Sequence, residues 1–445
     1  MKKSQSNTIK ELISITGEAG SLSDSSVLGG YSVDGLVPKA VLFPESEAQI
    51  SEIMKVSSRE SISVMPLGSG TKRSLGNIPT CLHVLLSTQK LNRVLEHEAR
   101  DLVATLECGV TLESLQSRLK DNNQFLPVNP MHTARGATLG GVVASNASGP
   151  LRLRYGTLRE LLIGIRVVRA DGTVFKGGSK VVKNVAGYDL PKLFVGSLGT
   201  LGIITQATLR LYPVPERGET YLVSFTTLEK CAETVMELLK SDLVMNSLEL
   251  LNPPLVMELA DRTGIEAKRG EYALAVRVMN IDKAVSEQMS LVKKVCNEVR
   301  GHGATVDGAL ENKLWEEIVN YPWNESSEDR VKLKTGVLIT DVPRVFSELE
   351  ELLNQKDVVA YASAKAGNGI VDITLKGGAS TLTSLVKSLR NLAESLSGSL
   401  VVEAAPPDLK RQIDVWGDMG PGLALMKRIK FNFDPGGILN PGRFV

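Results

Sequence analysis

Two rhythms of apolar positions alternate along this chain. In PESEAQISEIMKVSS, Ile50, Ile53 and Met54 fall at helical spacing, and Ser46 with Gln49 three residues later predicts a capping box. TLESLQSRLKDN places Leu112, Leu115 and Leu119 on one helical face. The runs SISVMPL, LVATLECG and LGIITQATLRLY read as strands. LLIGIRVVRADGTVFKGG reads as a hairpin, with Asp171-Gly172 suiting a type I′ turn between its alternating halves. The proline-rich PVPERG then breaks the pattern and predicts a domain boundary. Beyond it, strand-like TYLVSFT, NSLELL and YALAVRV alternate with helical LEKCAETVMELLK and PLVMELA, and a similar alternation recurs from KLKTGVLI to SLVVEA. Two such halves predict one antiparallel sheet covered by helices.

Composition narrows the class. A chain of 445 residues has room for two or three cores, and 42% hydrophobic with 23% charged residues is ordinary for a globular protein. The 51 basic and 50 acidic residues nearly cancel, so no global field draws the protein to nucleic acid or to an anionic membrane. The start, MKKSQSNTIKELISITG, has no continuous apolar run and is not expected to be a signal peptide. No segment approaches the roughly 18 apolar residues of a membrane span. Cys81, Cys108, Cys231 and Cys296 lie far apart, with no CxxC pair, so neither an iron–sulfur cluster nor a zinc site is expected on this chain. The expectation is a cytoplasmic protein that reaches the inner membrane, if at all, peripherally through partners.

Three small-residue stretches stand out: GSGTKRSLG, GATLGGVVASNASG and GSLGTLGII. Nine of the fourteen residues of the second are Gly, Ala or Ser. Such a stretch serves either close backbone packing or the wrapping of a large ligand. Glycine-freed N–H groups can form a phosphate nest. The first stretch is not a nicotinamide fingerprint, since Arg73 stands where a third glycine is required, and Lys72 follows Thr71 rather than glycine, which excludes a nucleoside-triphosphate loop.

PLGSGTK, then GATLGGVVASNASGP, then KNVAGYDLPKLFVGSLGTLGIITQATLRLYPVP, in this order and spacing, resemble the FAD-binding domain of the vanillyl-alcohol-oxidase/PCMH superfamily. The ending DPGGILNPGR matches the same family, and KNVAGYD, GSLGTLG and VEAAPPDLKRQIDVWG most resemble the E-type subunits of bacterial glycolate oxidases. The resemblance implies an α+β protein: a PCMH-type FAD-binding domain of two α/β subdomains, plus a C-terminal antiparallel-sheet domain with helices on one face. It divides the chain into a helical lead-in (1–32), the FAD-binding domain (33–214), an oxidase-type cap domain (215–405) and a closing segment that returns to the first domain (406–445).

It also implies roles. Gly68, Ser69, Gly70 and Thr71 would cradle the FAD pyrophosphate. Thr138, Gly140, Gly141, Ser145 and Gly149 would pack along phosphate, ribityl and isoalloxazine, with Gly202 and Ile203 at the adenine end. Covalent members carry a histidine just after the first glycine pair, and some a cysteine shortly before the second loop. Thr71 and Pro130-Met131-His132 stand there instead, so non-covalent FAD is expected.

Oxidising a 2-hydroxy acid requires a hydride acceptor, a base and cations for the carboxylate. The family's catalytic members bring GHxGDGNLH and a later Glu-His-Gly element, whose histidines can bind a metal. The matching stretch here is AKAGNGIVD, with Lys365 and Asp372 at the histidine positions, and Glu403 without a histidine in the later element. Lys365 reads either as an anion neutraliser or as a solvated hairpin residue. His132 is the remaining base candidate beside the bland reading of a polar loop histidine, and Arg135, Arg152 and Arg154 flank the loop as phosphate, partner or merely solvated groups. His83, His97 and His302 have no catalytic neighbours in sequence. The resemblance therefore implies a companion FAD-binding chain in a complex oxidising glycolate to glyoxylate, alongside a D-type catalytic flavoprotein and an F-type iron–sulfur protein of the glycolate oxidases. A stand-alone FAD-dependent 2-hydroxy-acid dehydrogenase and a non-enzymatic scaffold without flavin are the alternatives.

Overall fold

The computed structural model describes residues 4–179, 188–321, 329–354 and 356–445. The chain forms two compact units. The first comprises 1–148, 157–214 and 419–445, the second 149–156 and 215–418.

The first unit holds two layered parts. Strands Ala40–Leu42, Val84–Ser87 and Val64–Leu67 pair in parallel, and Ser21–Leu22 adds antiparallel at the edge. The helix Glu47–Glu60 follows the expected stripe, with Ile50, Ile53 and Met54 in the core. Its start departs from a full capping box. Ser46 Oγ accepts from Gln49 N, but the Gln49 side chain accepts from Glu45 N and donates to Ile15 O, tying in the first helix as well. The second part is an antiparallel sheet in the order Val94–Glu98, Val103–Glu107, Ile203–Arg210, Leu162–Val168, Val174–Gly178. Its last two strands form the expected hairpin, but not through a type I′ turn. Gly172 alone has a left-handed φ of 81°, while Asp171 keeps a negative φ and caps Thr173 N with its carboxylate. A longer loop closed by Arg169 N donating to Thr173 O makes the second left-handed residue unnecessary.

The end of the chain is built into this unit. Leu439 forms a parallel bridge with Val64, and the buried Asp434 carboxylate accepts from Ile438 N, Leu439 N and the Lys430 ammonium.

The second unit is an eight-stranded sheet, antiparallel throughout. Its order is His302–Val306, Arg217–Phe225, Tyr272–Asn280, Ser247–Leu251, Val358–Lys365, Ile370–Gly377, Arg330–Gly336, Ser399–Ala404. On one face Leu248, Leu250, Leu274, Val276, Ala364, Ile373, Leu333 and Val402 pack against helices Leu228–Lys240, Asp282–Glu298, Val342–Leu353 and Ala379–Ser395. The cover is not confined to that face. Leu251, Ala273 and Ala275 point the other way and bury helices Pro253–Thr263 and Gly308–Asn320, because these alternate positions are also apolar.

Candidate functional site

The glycine-rich stretches of the first unit converge on one cleft. It is lined by the 65–73 loop, by 137–147 and by 198–204, with Asn440 and Arg443 from the chain end. Its empty volume, open mouth included, is about 940 Å³, toward the upper end of the roughly 300–1,000 Å³ of small-molecule sites. Gly68, Ser69, Gly70, Thr71, Thr138, Gly140, Gly141, Ser145, Gly202 and Ile203 all line it; Gly149 does not, and clusters with the second unit. Of the GSLGTLGII neighbourhood, Leu198, Gly199 and Ile204 also line the cleft, whereas residues 183–187 of the KNVAGYD motif lie outside the described residues.

The sequence Thr138-Leu-Gly-Gly builds a short helix, Leu139–Ser145, whose N-cap Thr138 accepts from Gly141 N. Leu139, Val142 and Val143 turn into the core, which leaves Gly140, Gly141, Ala144 and Ser145 toward the cleft. The glycines divide by cause. A Cβ on Gly68 would stand 2.0 Å from Thr138 Oγ1, one on Gly140 2.9 Å from Cys108 Cβ and 3.0 Å from its carbonyl oxygen, and one on Gly202 2.5 Å from Val167. These three are already required by chain-on-chain packing. Gly141 is different: it is exposed, and a Cβ there would meet only Thr138 Oγ1, at 3.2 Å. Both answers to the glycine question therefore hold, at different residues.

The cleft fits a dinucleotide-bearing cofactor on its own chemistry. Ser69 Oγ is buried on the lining and has no hydrogen-bond partner, and Lys72 supplies a cation beside it. Arg443 shapes the loop from behind. It is 1% exposed, pairs with Asp34 at 2.6 Å, and donates to the carbonyls of Asn77 and Arg73. Sequence reading did not single out Arg443 or Asn440; the NPGR ending was the available signal. Among the described residues, no histidine, cysteine or tyrosine lines the cleft.

His132 is buried with a left-handed φ of 67°, and its carbonyl accepts from Arg135 N and Ala137 N, so it shapes the turn before the second loop. The other histidines are structural or outlying. His83 Nδ1 accepts from Ser63 N, and burial lowers its pKa; His97 pairs with Gln124; His302 is exposed. Arg154 is exposed and Arg152 half-buried on the turn Arg152–Tyr155. Cys108, Cys231 and Cys296 are buried, and burial pushes all three thiols up, Cys296 to about 12. Among the described residues no group of three potential metal ligands assembles, and no helix is long and apolar enough to cross a membrane.

In the second unit the AKAGNGIVD hairpin is regular: Lys365 and Asp372 flank its turn, and Gly369 takes φ 66°. Lys365 is not a solvated hairpin residue. Its ammonium is buried and ion-paired with the buried Asp372. Burial pulls the Lys365 pKa down, but the carboxylates of Asp372, Glu249 and Glu403 outweigh it and leave it above the usual value. Burial likewise opposes ionisation of Asp372, yet Lys365, Lys332 and Lys334 hold it far below the ordinary carboxylate range. Lys332 Nζ lies 3.8 Å from Glu403 Oε2, both buried. Glu249, directly across from Lys365 on the next strand, is 1% exposed. Sequence reading passed over Glu249, Lys332 and Lys334; a lone Glu inside SLELL and the alternating lysines of KLK were the signal. Lysine and aspartate locked to one another offer no ligand set for the divalent metal of the histidine pattern, so the residues present do not fit that group.

Residues 38–178 match the family model described as FAD binding domain, and residues 214–444 match the FAD linked oxidases, C-terminal domain. The chain is 28% identical to glycolate oxidase subunit GlcD of Bacillus subtilis, over 92% of this chain and 89% of that one. It is 31% identical to D-lactate dehydrogenase of Archaeoglobus fulgidus, over 91% of each. The solved 4-ethylphenol oxidase of Gulosibacter chungangensis superposes with a TM-score of 0.78 at 16% identity, covering 98% of this chain and 96% of that one, which is a likeness of fold. With both domains matched and the glycine-rich cleft in the first, this chain belongs to the FAD-linked oxidases of the glycolate oxidase and D-lactate dehydrogenase type, and FAD is its cofactor.

Proposed function

We propose that this protein carries dissociable FAD as a companion chain in a complex that oxidises a small 2-hydroxy acid, glycolate in the first instance. The observation that carries the reading is the Lys365–Asp372 ion pair, which occupies the hairpin where catalytic members place two histidines. FAD supplies the hydride-accepting chemistry when bound. Gly68, Ser69, Gly70 and Thr71 would hold its pyrophosphate, with the Ser69 hydroxyl as a ready donor. Thr138, Gly140, Gly141 and Ser145 would lie along its ribityl and ring portion, and Gly202 and Ile203 along the adenine end. A lining that, among the described residues, holds no histidine, cysteine or tyrosine supports non-covalent attachment. Electrons leaving such a complex need iron–sulfur ligands from another chain, because the cysteines here are scattered and three are buried. A GHxGDGNLH-type flavoprotein and a cysteine-rich iron–sulfur protein are the partners this reading requires, with any inner-membrane attachment made through them.

Purified alone, the protein is expected to be yellow, and acid precipitation is expected to release all of its flavin into the supernatant. Glycolate or D-lactate with a dye acceptor is expected to leave that flavin oxidised until the partners are added. Prompt bleaching of the isolated chain would replace this reading with the second one, a stand-alone 2-hydroxy-acid dehydrogenase. The buried Glu249 carboxyl, a proton-exchanging group beside Lys365, favours that alternative.

A further inference from the structure

Helix Leu228–Lys240 of the second unit carries an apolar stripe at helical spacing, Leu228, Ala232, Val235 and Leu239, in which Ala232 is the one small residue. Where a larger side chain would reach, the structure is open. A cavity of about 220 Å³ lies between this helix, the strand Ser247–Leu251, the start of helix Val342–Leu353 and the turn at Ala366. Its floor is Val235, Leu250, Val342 and Ala366, none more than 5% exposed. Half-buried Ala232, Met236, Ile339 and Pro343 wall it, and the exposed side chains of Glu233 and Thr340 stand at its rim. It lies on the helix-covered face of the sheet, the one away from Glu249 and Lys365, and shares no residue with the flavin cleft. Backbone contacts hold its walls apart. Val337 N donates to Gly369 O at 2.8 Å, and a Cβ on Gly369 would stand 2.0 Å from Val337 O, so the hairpin turn is fixed against the segment leading into Ile339. On its other side a Cβ on Gly367 would stand 2.6 Å from Leu153. Pro343 fixes the first turn of the helix that follows.

Protein interiors hold few voids larger than a water molecule. An engineered apolar cavity of about 150 Å³ stays dry and admits benzene; the one here is larger, and the side chains of its floor offer water no hydrogen bond. We propose that this cavity is a binding site for a small neutral apolar molecule of single-ring size. The class follows from shape and charge. The floor supplies apolar contact and no counter-ion, so an ionised group carried into it would lose its hydration without compensation. The Glu233 carboxylate at the rim adds repulsion against anions. Carboxylates, 2-hydroxy acids among them, are thereby excluded, which separates this site from the substrate of the proposed function, and the inference does not rest on that function. The same geometry says what would close the site: a leucine at 232, on the wall, would occupy the space a ring would take.

Toluene is the probe, and benzoate, the same ring with a carboxylate, is its control. Each is titrated calorimetrically at neutral pH into the flavin-loaded full-length protein and into Ala232→Leu, and melting temperatures are recorded with and without toluene. The unaltered protein is expected to bind one toluene saturably and to melt higher in its presence. Benzoate is expected to bind at least about tenfold more weakly. Ala232→Leu is expected to lose toluene binding while keeping or raising the melting temperature of the ligand-free protein, because the leucine fills space rather than displacing neighbours. Absence of saturable toluene binding, benzoate binding as tight as toluene, or toluene binding retained in Ala232→Leu would each overturn the proposal. A variant that melts lower or fails to fold would show that the space is already filled, and would overturn it too. Flavin absorbance is followed on the same samples: release of flavin by toluene would put the ring in the cofactor cleft instead, whereas a constant flavin signal is the expected result.

Discussion

The cleft of the first unit and the charged face of the second are made by opposite means. The cleft is made by removing side chains: Gly68, Gly140 and Gly202 let backbone pack on Thr138, Cys108 and Val167, and Gly141 keeps the lining open. The buried cation behind its loop, Arg443, is committed to Asp34 and two carbonyls rather than aimed at a ligand. The charged face is made by adding side chains that a buried sheet would not otherwise carry, and by pairing them with one another. Shape thus governs the cleft, and charge pairing governs the sheet face. A steric change should therefore be felt mainly in the cleft, and a protonation change mainly on the sheet.

The sharpest break of this comparison is Lys365→Met. It leaves Asp372 buried without its ion-pair partner, and removing one member of such a pair costs about 3–5 kcal/mol. Urea unfolding followed by far-UV dichroism reads the loss; a change under about 1 kcal/mol would mean that the pair is hydrated and worth no more than a surface one. Glu249→Gln should act through pH. The folded-state pKa of Glu249 is raised to about 7 from an ordinary value of 4.5. Its contribution is therefore fully present below the unfolded pKa and lost as pH rises through the folded one. The two proteins should be equally stable near pH 4, and above pH 7 the glutamine variant should gain about 3 kcal/mol over the parent. Parallel stability–pH curves would remove Glu249 from the cluster's charge balance.

On the cleft side, Gly140→Val drives a branched side chain into Cys108, an overpacking worth about 1–3 kcal/mol, and loss of flavin should accompany loss of stability. Gly141→Ala separates the two. Its Cβ meets little protein, and alanine in a helix is favoured over glycine by up to about 1 kcal/mol. Thermal stability should hold or rise slightly while bound flavin, measured by absorbance, falls. If Gly141→Ala keeps its flavin in full, the cofactor does not lie against that turn of the helix.

Much of this was legible in the amino-acid sequence. The helices Leu112–Lys120 and Leu228–Lys240 follow from apolar spacing and a threonine cap, because both signals are local. The loops that line the cleft were legible too, since glycine records a backbone requirement wherever it falls. Which requirement it records was not: nothing near Gly140 in sequence shows that Cys108 lies 2.9 Å from its missing Cβ. The type I′ turn and the one-faced helical cover failed for a similar reason. Ser51 donates to Gly172 O from 121 residues away, and the burial of Leu251 and Ala275 depends on helices that pack from elsewhere in the chain.

The sequence by itself determined most of the elements and the three bare loops, which are written in residues a few positions apart. Only the tertiary structure decided that Lys365 is buried against Asp372, that Glu249 joins them from another strand, and that Arg443 at the chain end braces a loop some 370 residues earlier. Charges interact through space in a low-dielectric interior, and the fold alone sets which of them meet there.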